Sequence, residues 1–329
     1  MRFFYYSPTN DNRPSWGIGV IHYHVWLLRQ QGIEAFIVYD DSDTKLSWLD
    51  LPLPVISLKE LHVTVAPSDF LIVPEVSADL TALQLNCKRV LFVQAGFFIF
   101  EGIRNATSHQ ALGYNAVIYI MPHLRGILEM ITDLPLFEVP PFIAPYFFEQ
   151  KLHAKRKKQI LFYPKFESRE FYILERLLHR HLDIVTKSRL HRLFNRGEWQ
   201  LIPIKGFTHK QVAKLMVEST FYVSLNTTEA FNTSVPEAMA VGCIPLCYEA
   251  YGPKDYLEDE VNSFVFSNND IFSLAAKLIS LISDFDRNEI KFNNMRESAR
   301  ATAERYSLFQ VEEPLLKMVE FLKNTPNDK

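Results

Sequence analysis

Short apolar runs alternate with amphipathic stretches along the whole chain, and this alternation is its strongest structural signal. Phe3-Phe4-Tyr5-Tyr6 reads as a buried strand. A polar loop follows, and Trp16-Gly17-Ile18-Gly19 opens an amphipathic helix that ends near Gln31-Gly32, where glycine supplies the stop. Apolar runs at 35–39, 70–73, 90–93 and 116–120 predict further strands, and segments 78–86 and 122–130 predict helices between them. The alternation restarts with strand 159–163, helix 170–182 and strand 199–202. A helix then begins at Thr208, where Thr208-x-x-Gln211 forms a capping box. Strand 221–225, helix 235–241, strand 244–248 and an apolar piece at 264–266 come next. Ile271, Leu274, Ala275, Leu278, Ile279 and Ile282 keep strict helical spacing, and helices near 287–306 and 312–323 close the chain.

Strands alternating with helices imply crossover units and parallel sheets. Three prolines in 139–145 followed by a basic run mark a boundary, predicting one domain over 1–145 and another over 146–329. The expected architecture is α/β, with two Rossmann-like doubly wound domains facing each other across a cleft. Ligands of such sheets bind at the strands' carboxyl ends.

Composition narrows the picture. With 329 residues, 48% of them hydrophobic, the chain folds rather than staying disordered. Glycine is scarce, 11 in all, about half the usual share, which excludes fibrous and linker classes. Three cysteines, Cys87, Cys243 and Cys247, form neither a paired framework nor a zinc set and read as reduced thiols. No signal peptide and no apolar run of roughly 18 residues is visible. The expected location is therefore cytoplasmic, with any membrane contact peripheral, at the inner face.

The net charge of −3 hides an asymmetry: residues 1–145 carry 9 basic and 14 acidic groups, whereas 151–210 carry 15 basic and 5 acidic. The basic run at 151–158 suits either an anionic membrane surface or a solvated linker. Nucleic acid is not an expected partner, because the charge is local and no binding module accompanies it.

The informative stretch runs from Phe221 to Leu246. A buried strand enters a polar loop holding Glu229, and Glu237 sits in the first turn of the next helix. Unpaired N–H groups over Asn232 to Val235 suit a phosphate, while the flanking carboxylates accept hydrogen bonds from hydroxyls. Ser234-x-x-Glu237 is also a capping box in sequence, which would account for Glu237 without a ligand. Asp41-Ser42-Asp43 and Asp284-Phe285-Asp286 resemble metal-binding Asp-x-Asp but fall in a polar stretch and in an expected helix–helix connection, so no metal is predicted. The pairs His22/His24 and His179/His181 point to different helix faces and read as core or surface histidines.

Glu229, seven residues, Glu237, then Ala238-Met239-Ala240 and Gly242-Cys243-Ile244-Pro245-Leu246 resemble the E-x7-E signature of retaining glycosyltransferases of family 4, which have the GT-B fold. The resemblance implies transfer of a hexose from a nucleotide diphospho-sugar to an acceptor hydroxyl, in glycan or lipid-linked saccharide synthesis. It places Glu237 on the nucleotide ribose and Glu229 on the donor sugar. It puts Lys165 and Arg169 on the pyrophosphate, where charge-assisted contacts improve the leaving group. The resemblance turns main-chain groups of Phe231, Asn232 and Thr233 to the donor and has those of Gly17 and Gly19 help the donor phosphate or the acceptor. Ile160-Leu161-Phe162-Tyr163 followed by Arg169 is similar to members that transfer deoxyhexoses such as rhamnose. Two departures stand out. Ala230 and Asn232 occupy positions usually held by glycine, although asparagine tolerates the left-handed conformation. Gln94 stands where many members have a histidine, on the acceptor side. No cofactor beyond the substrate is implied. Two other readings remain at this stage: sugar-nucleotide epimerisation or hydrolysis, and a non-catalytic module that binds a glycan or protein.

Overall fold

The computed structural model describes residues 1–8, 14–41, 43–44, 46–49, 51–103, 106–152, 154–164, 168–181, 185–186 and 199–324. The chain divides into two compact units.

The first unit is built on seven parallel strands: β1 (Phe3–Tyr6), β2 (Ala35–Tyr39), β3 (Val55–Ser57), β4 (Phe70–Pro74), β5 (Lys88–Val93), β6 (Tyr114–Tyr119) and β7 (Leu136–Glu138). Their spatial order is β3-β2-β1-β4-β5-β6-β7. The central strands are apolar at nearly every position, as a sheet covered on both faces demands. Phe3 and Phe70 stack across the β1–β4 pair with ring centroids 5.2 Å apart. Helices α1 (Trp16–Gln30), α2 (Leu58–Thr64) and α3 (Pro122–Ile131) lie between strands. Ser57 and Glu60 cap α2 reciprocally. Order reverses between β1 and β4, so this unit's topological switch point lies at their carboxyl ends.

The second unit holds the short helix α4 (Pro145–Phe148) and strands β8 (Lys157–Phe162), β9 (Val185–Thr186), β10 (Gln200–Pro203), β11 (Ser219–Ser224), β12 (Ile244–Tyr248) and β13 (Phe264–Phe266). All pair in parallel, in the order β13-β12-β11-β8-β10-β9. Helices α5 (Ser168–His181), α6 (His209–Glu218), α7 (Ser234–Ala240), α8 (Ile271–Arg287) and α9 (Asn293–Glu304) complete it. Leu174 and Leu178 of α5 join Leu274, Leu278 and Ile282 of α8 in a core under Phe221, Val223, Ile244 and Leu246. Here the switch point falls between β8 and β11.

The last helix, α10 (Phe309–Asn324), returns to the first unit, where Val311, Leu315, Met318, Val319 and Leu322 are buried. Phe321 meets Phe137 of β7 with centroids 4.9 Å apart. The two units are thus Met1–Phe142 with Phe309–Lys329, and Ile143–Leu308. This differs from a single cut at 145/146 with the terminal helices in the second domain. Helix periodicity identifies α10 but carries no information about which sheet its apolar face meets.

Two local expectations also change. No helix spans 78–86; 3-10 turns at Glu75–Ser77 and Thr81–Leu83 stand there instead. The backbone of that segment is used by distant partners: Asp79 N–H donates to the Gly102 carbonyl at 2.9 Å, and the Tyr114 hydroxyl donates to the Ala78 carbonyl at 2.9 Å. Asp284 and Asp286 lie inside α8, not in a connection. Asp286 accepts from Trp199 Nε1 at 3.2 Å and pairs with Lys158 at 2.8 Å, while Asp284 pairs with Lys291. Gly17 and Gly19 stand in the first turn of α1, which Trp16 opens as the sequence predicts.

Three residues of the basic run at 151–158, Arg156, Lys157 and Lys158, are engaged within the fold. Arg156 is buried and donates to the carbonyls of Val217 (2.5 Å), Leu152 (2.7 Å) and Val241 (2.6 Å). Lys157 pairs with Glu218, and Lys158 with Asp286. No helix among the described residues is long and apolar enough to cross a membrane.

Candidate active site

In the second unit the loop after β11 begins with an Asn turn. Asn226 Oδ1 accepts from the N–H groups of Thr228 (2.9 Å) and Glu229 (3.0 Å), which brings the half-buried Glu229 to the carboxyl edge of the sheet. Ala230 then passes over Gly252 so closely that a Cβ at 252 would lie 1.7 Å from the Ala230 carbonyl oxygen. Phe231 turns its ring inward against Tyr256 and Tyr306, and its carbonyl accepts from the Tyr256 hydroxyl at 2.7 Å.

Asn232 adopts φ +52°, the left-handed conformation asparagine tolerates where glycine is expected. Its side chain is tied at both ends: Nδ2 donates to Ser224 Oγ at 2.8 Å, and Oδ1 accepts from Ser234 Oγ at 3.0 Å. Ser234 in turn accepts from the Tyr222 hydroxyl at 2.7 Å. The loop is therefore held by its own strand and by the first residue of α7. Behind α7, Gly242 has φ +72° and a Cβ there would meet Leu152 and Arg156 at 2.7 and 2.8 Å.

Ser234 and Glu237 do not form the capping box their spacing suggests. Residue Thr233 precedes α7 in a helical conformation without a side-chain cap. The Glu237 carboxylate instead accepts from His209 Nε2 at 2.6 Å, and Tyr146 Oη is hydrogen-bonded to His209 Nδ1. Glu237 is only 2% exposed, and a buried carboxylate needs such a partner. Burial alone would lower the His209 pKa, but the charge of Glu237 and its hydrogen bond outweigh that effect and raise it.

Tyr163 lies just past β8; burial lifts its hydroxyl well above the ordinary range, and the charges of Glu237, Tyr146 and Glu229 push it further up. Arg169 is exposed in the first turn of α5, whose neighbouring Glu170 accepts from the Tyr248 hydroxyl at 2.6 Å. Lys165 lies outside the described residues. Glu229, Phe231, Asn232, Thr233 and Glu237 follow the carboxyl end of β11, and Tyr163 and Arg169 follow that of β8, the two paired strands that flank the switch point where doubly wound sheets bind ligands.

The first unit assembles its own edge. Gly17 lies against Gln94: a Cβ on the glycine would be 3.0 Å from Gln94 Oε1. Gly19 packs under the Trp16 ring. Glu75, buried at the end of β4, accepts from the N–H groups of Gln94 (3.1 Å) and Ala95 (2.7 Å). Burial raises its pKa to about 7, against the lowering effect of those hydrogen bonds. Gly17, Glu75 and Gln94 therefore follow the carboxyl ends of β1, β4 and β5.

His22 and His24 are core residues. Burial lowers them to about 4 and about 3, and His24 stacks on Phe92. Among the described residues no cluster of three His, Cys, Asp or Glu side chains could hold a metal ion.

Sequence reasoning had not singled out Glu75, Tyr146 or His209, and had used Tyr163 only as part of the run before Arg169. One signal did exist for His209. It is the first residue of α6, where the helix dipole disfavours a cation, so a histidine there calls for a compensating anion.

Comparisons with known proteins bear on the fold and the class of activity. The family "Glycosyl transferases group 1" matches residues 196–302. The α-1,6-glucosyltransferase of Actinobacillus pleuropneumoniae serotype 7 (strain AP76) is 25% identical over 291 residues, covering 83% of this chain and 82% of that protein. The glycosyltransferase from Rickettsia africae ESF-5 superposes with a TM-score of 0.69 at 14% identity, covering 100% of this chain and 99% of the other. The pneumococcal O-GlcNAc transferase GtfA in complex with UDP and GlcNAc gives 0.68 at 10% identity, with 99% of each chain covered. With a group 1 segment in its second unit and two parallel-sheet Rossmann-like units throughout, the protein is a glycosyltransferase of the GT-B fold.

Proposed function

We propose that the protein transfers a hexose from a nucleoside diphospho-sugar to an acceptor hydroxyl with retention of configuration. The observation that carries this reading is the second unit's switch point, where a tightly held loop presents Glu229 and a buried carboxylate follows one helical turn into α7. Glu229 positions the donor sugar and Glu237 accepts from the ribose hydroxyls. Arg169 and Lys165 stabilise the charge that builds on the pyrophosphate, and main-chain groups of Phe231, Asn232 and Thr233 approach it. The acceptor is received on the first unit beside Gln94, with Gly17 and Gly19 keeping that edge open. Gln94 donates and accepts hydrogen bonds but is not a base. The departing phosphate is left to take the acceptor's proton, so transfer proceeds on the donor's own face. No metal enters this scheme.

A glucosyltransferase relative and a UDP-bound neighbour favour a UDP-hexose over a deoxyhexose donor. The acceptor class that fits is a saccharide, free or lipid-linked, with the protein acting in the cytoplasm. Turnover with UDP-, GDP- and dTDP-sugars, followed by NMR assignment of the product anomer, tests the reading. Glu229→Ala should lose at least about a hundredfold in kcat with little change in thermal midpoint. Near-normal turnover in that variant would remove Glu229 from the scheme, an inverted anomer would remove retention, and acceptor-independent product would favour hydrolysis or epimerisation.

A further inference from the structure

We propose that Tyr146 and His209 are positioning residues that fix the Glu237 carboxylate for the donor ribose, an inference that rests on the donor reading above. Glu237 is drawn away from the local partner its sequence offers. Ser234 turns to Asn232 and Tyr222, and the carboxylate meets His209 on a different helix. Among the described residues, the hydrogen bond the carboxylate makes is this one, through Oε1. On this reading Oε2 is the atom that receives the ribose.

The imidazole that makes this bond is itself immobilised. Nε2 faces Glu237 and Nδ1 faces the Tyr146 hydroxyl. The Tyr146 and Phe147 rings stand edge-on to the imidazole, with centroids 5.5 and 5.1 Å away. Donation from Nε2–H to Glu237 leaves Nδ1 of a neutral ring to accept from the hydroxyl. An imidazolium would donate to the same oxygen. Both protonation states keep Oε1 in one place. The Thr208 capping box completes the arrangement, because it fixes the start of α6 and hence the first helical residue, His209.

A ribose presents neighbouring hydroxyls that need acceptors at defined points. A buried carboxylate free to rotate would pay for alignment at every binding event, and a pinned one is already aligned. His209 and Tyr146 therefore act through Glu237 and not on the sugar.

The test uses the full-length chain, calorimetric titration with UDP, GDP, ADP and dTDP, and the variants His209→Phe, His209→Gln and Tyr146→Phe, with thermal midpoints confirming folding. Glutamine can return an N–H near the place of Nε2–H, whereas phenylalanine keeps the ring and loses the donor. For the nucleotide that the wild type binds, His209→Phe should weaken affinity about tenfold or more, His209→Gln by less than about threefold, and Tyr146→Phe by an amount between them. In turnover the loss should fall on the donor KM and spare kcat at saturation. The inference stands if affinity among the folded variants follows that order, and any other order overturns it. If His209→Phe does not fold, the remaining order of wild type, His209→Gln and Tyr146→Phe decides. A wild type that binds none of the four nucleotides overturns the donor reading itself and this inference with it.

Discussion

Asn232 and Gly252 shape the donor loop by opposite means. Asn232 accepts a left-handed backbone, which disfavours most side chains, in return for two side-chain hydrogen bonds, and Gly252 removes the one atom that would strike Ala230. Asn232→Ala keeps the strained φ and loses both bonds, so it should destabilise the fold by about 2 kcal/mol, read as a lowered denaturation midpoint. Gly252→Ala should displace the 230–232 loop and reduce kcat/KM at least about tenfold. A Gly252→Ala enzyme with unaltered kcat/KM would show that the loop's position is not critical. The left-handed Asn232 was legible in the sequence because conformational tolerance is a property of one residue. Gly252 was not, because it matters only through a residue brought close by folding.

At the scale of elements, buried polar side chains stitch strand ends and helix ends together. Arg156 serves the last carbonyls of two helices, Met216 and Val217 in α6 and Val241 just past α7. Burial lowers its pKa to about 10, so it remains charged at neutral pH. Arg156→Met should strand those carbonyls and cost about 3 kcal/mol or more, measured by chemical denaturation. The sequence shows only a basic run there, and a charge pattern does not distinguish a solvated cation from one that caps two helices.

Glu75 joins β4 to the turn after β5 and titrates in a useful window. Its folded pKa is raised from 4.5 to about 7, so the folded protein holds the proton more tightly than the unfolded chain does. The resulting stabilisation is present below about pH 4.5 and is lost as pH rises toward 7, by up to about 3 kcal/mol. Glu75→Gln keeps an acceptor for the Gln94 and Ala95 N–H groups but does not ionise. Its stability should therefore fall less than the wild type's between pH 4.5 and 7.5, and parallel curves would remove the effect from Glu75.

For the whole molecule, the chain's course matters as much as its elements. It builds a seven-stranded unit, then a six-stranded one, and sends α10 back to the first. Truncation after Leu308 should therefore destabilise the first unit, because five apolar side chains of α10 lose their burial there. Calorimetry of the truncated chain should show a lowered transition assignable to residues 1–142 by limited proteolysis.

Local pattern was enough to read alternating strands and helices, two parallel-sheet units, the Thr208 cap and the loop with Glu229 and Glu237. Periodicity, capping and turn chemistry act over a few residues, and each leaves its mark in the adjacent sequence. Folding in three dimensions decided what short range does not encode: which sheet α10 covers, why 78–86 is not a helix, what becomes of Arg156, and which partner Glu237 takes. In each case the local preference was met or nearly matched elsewhere, and the burial of a polar or apolar group against a distant residue settled the outcome.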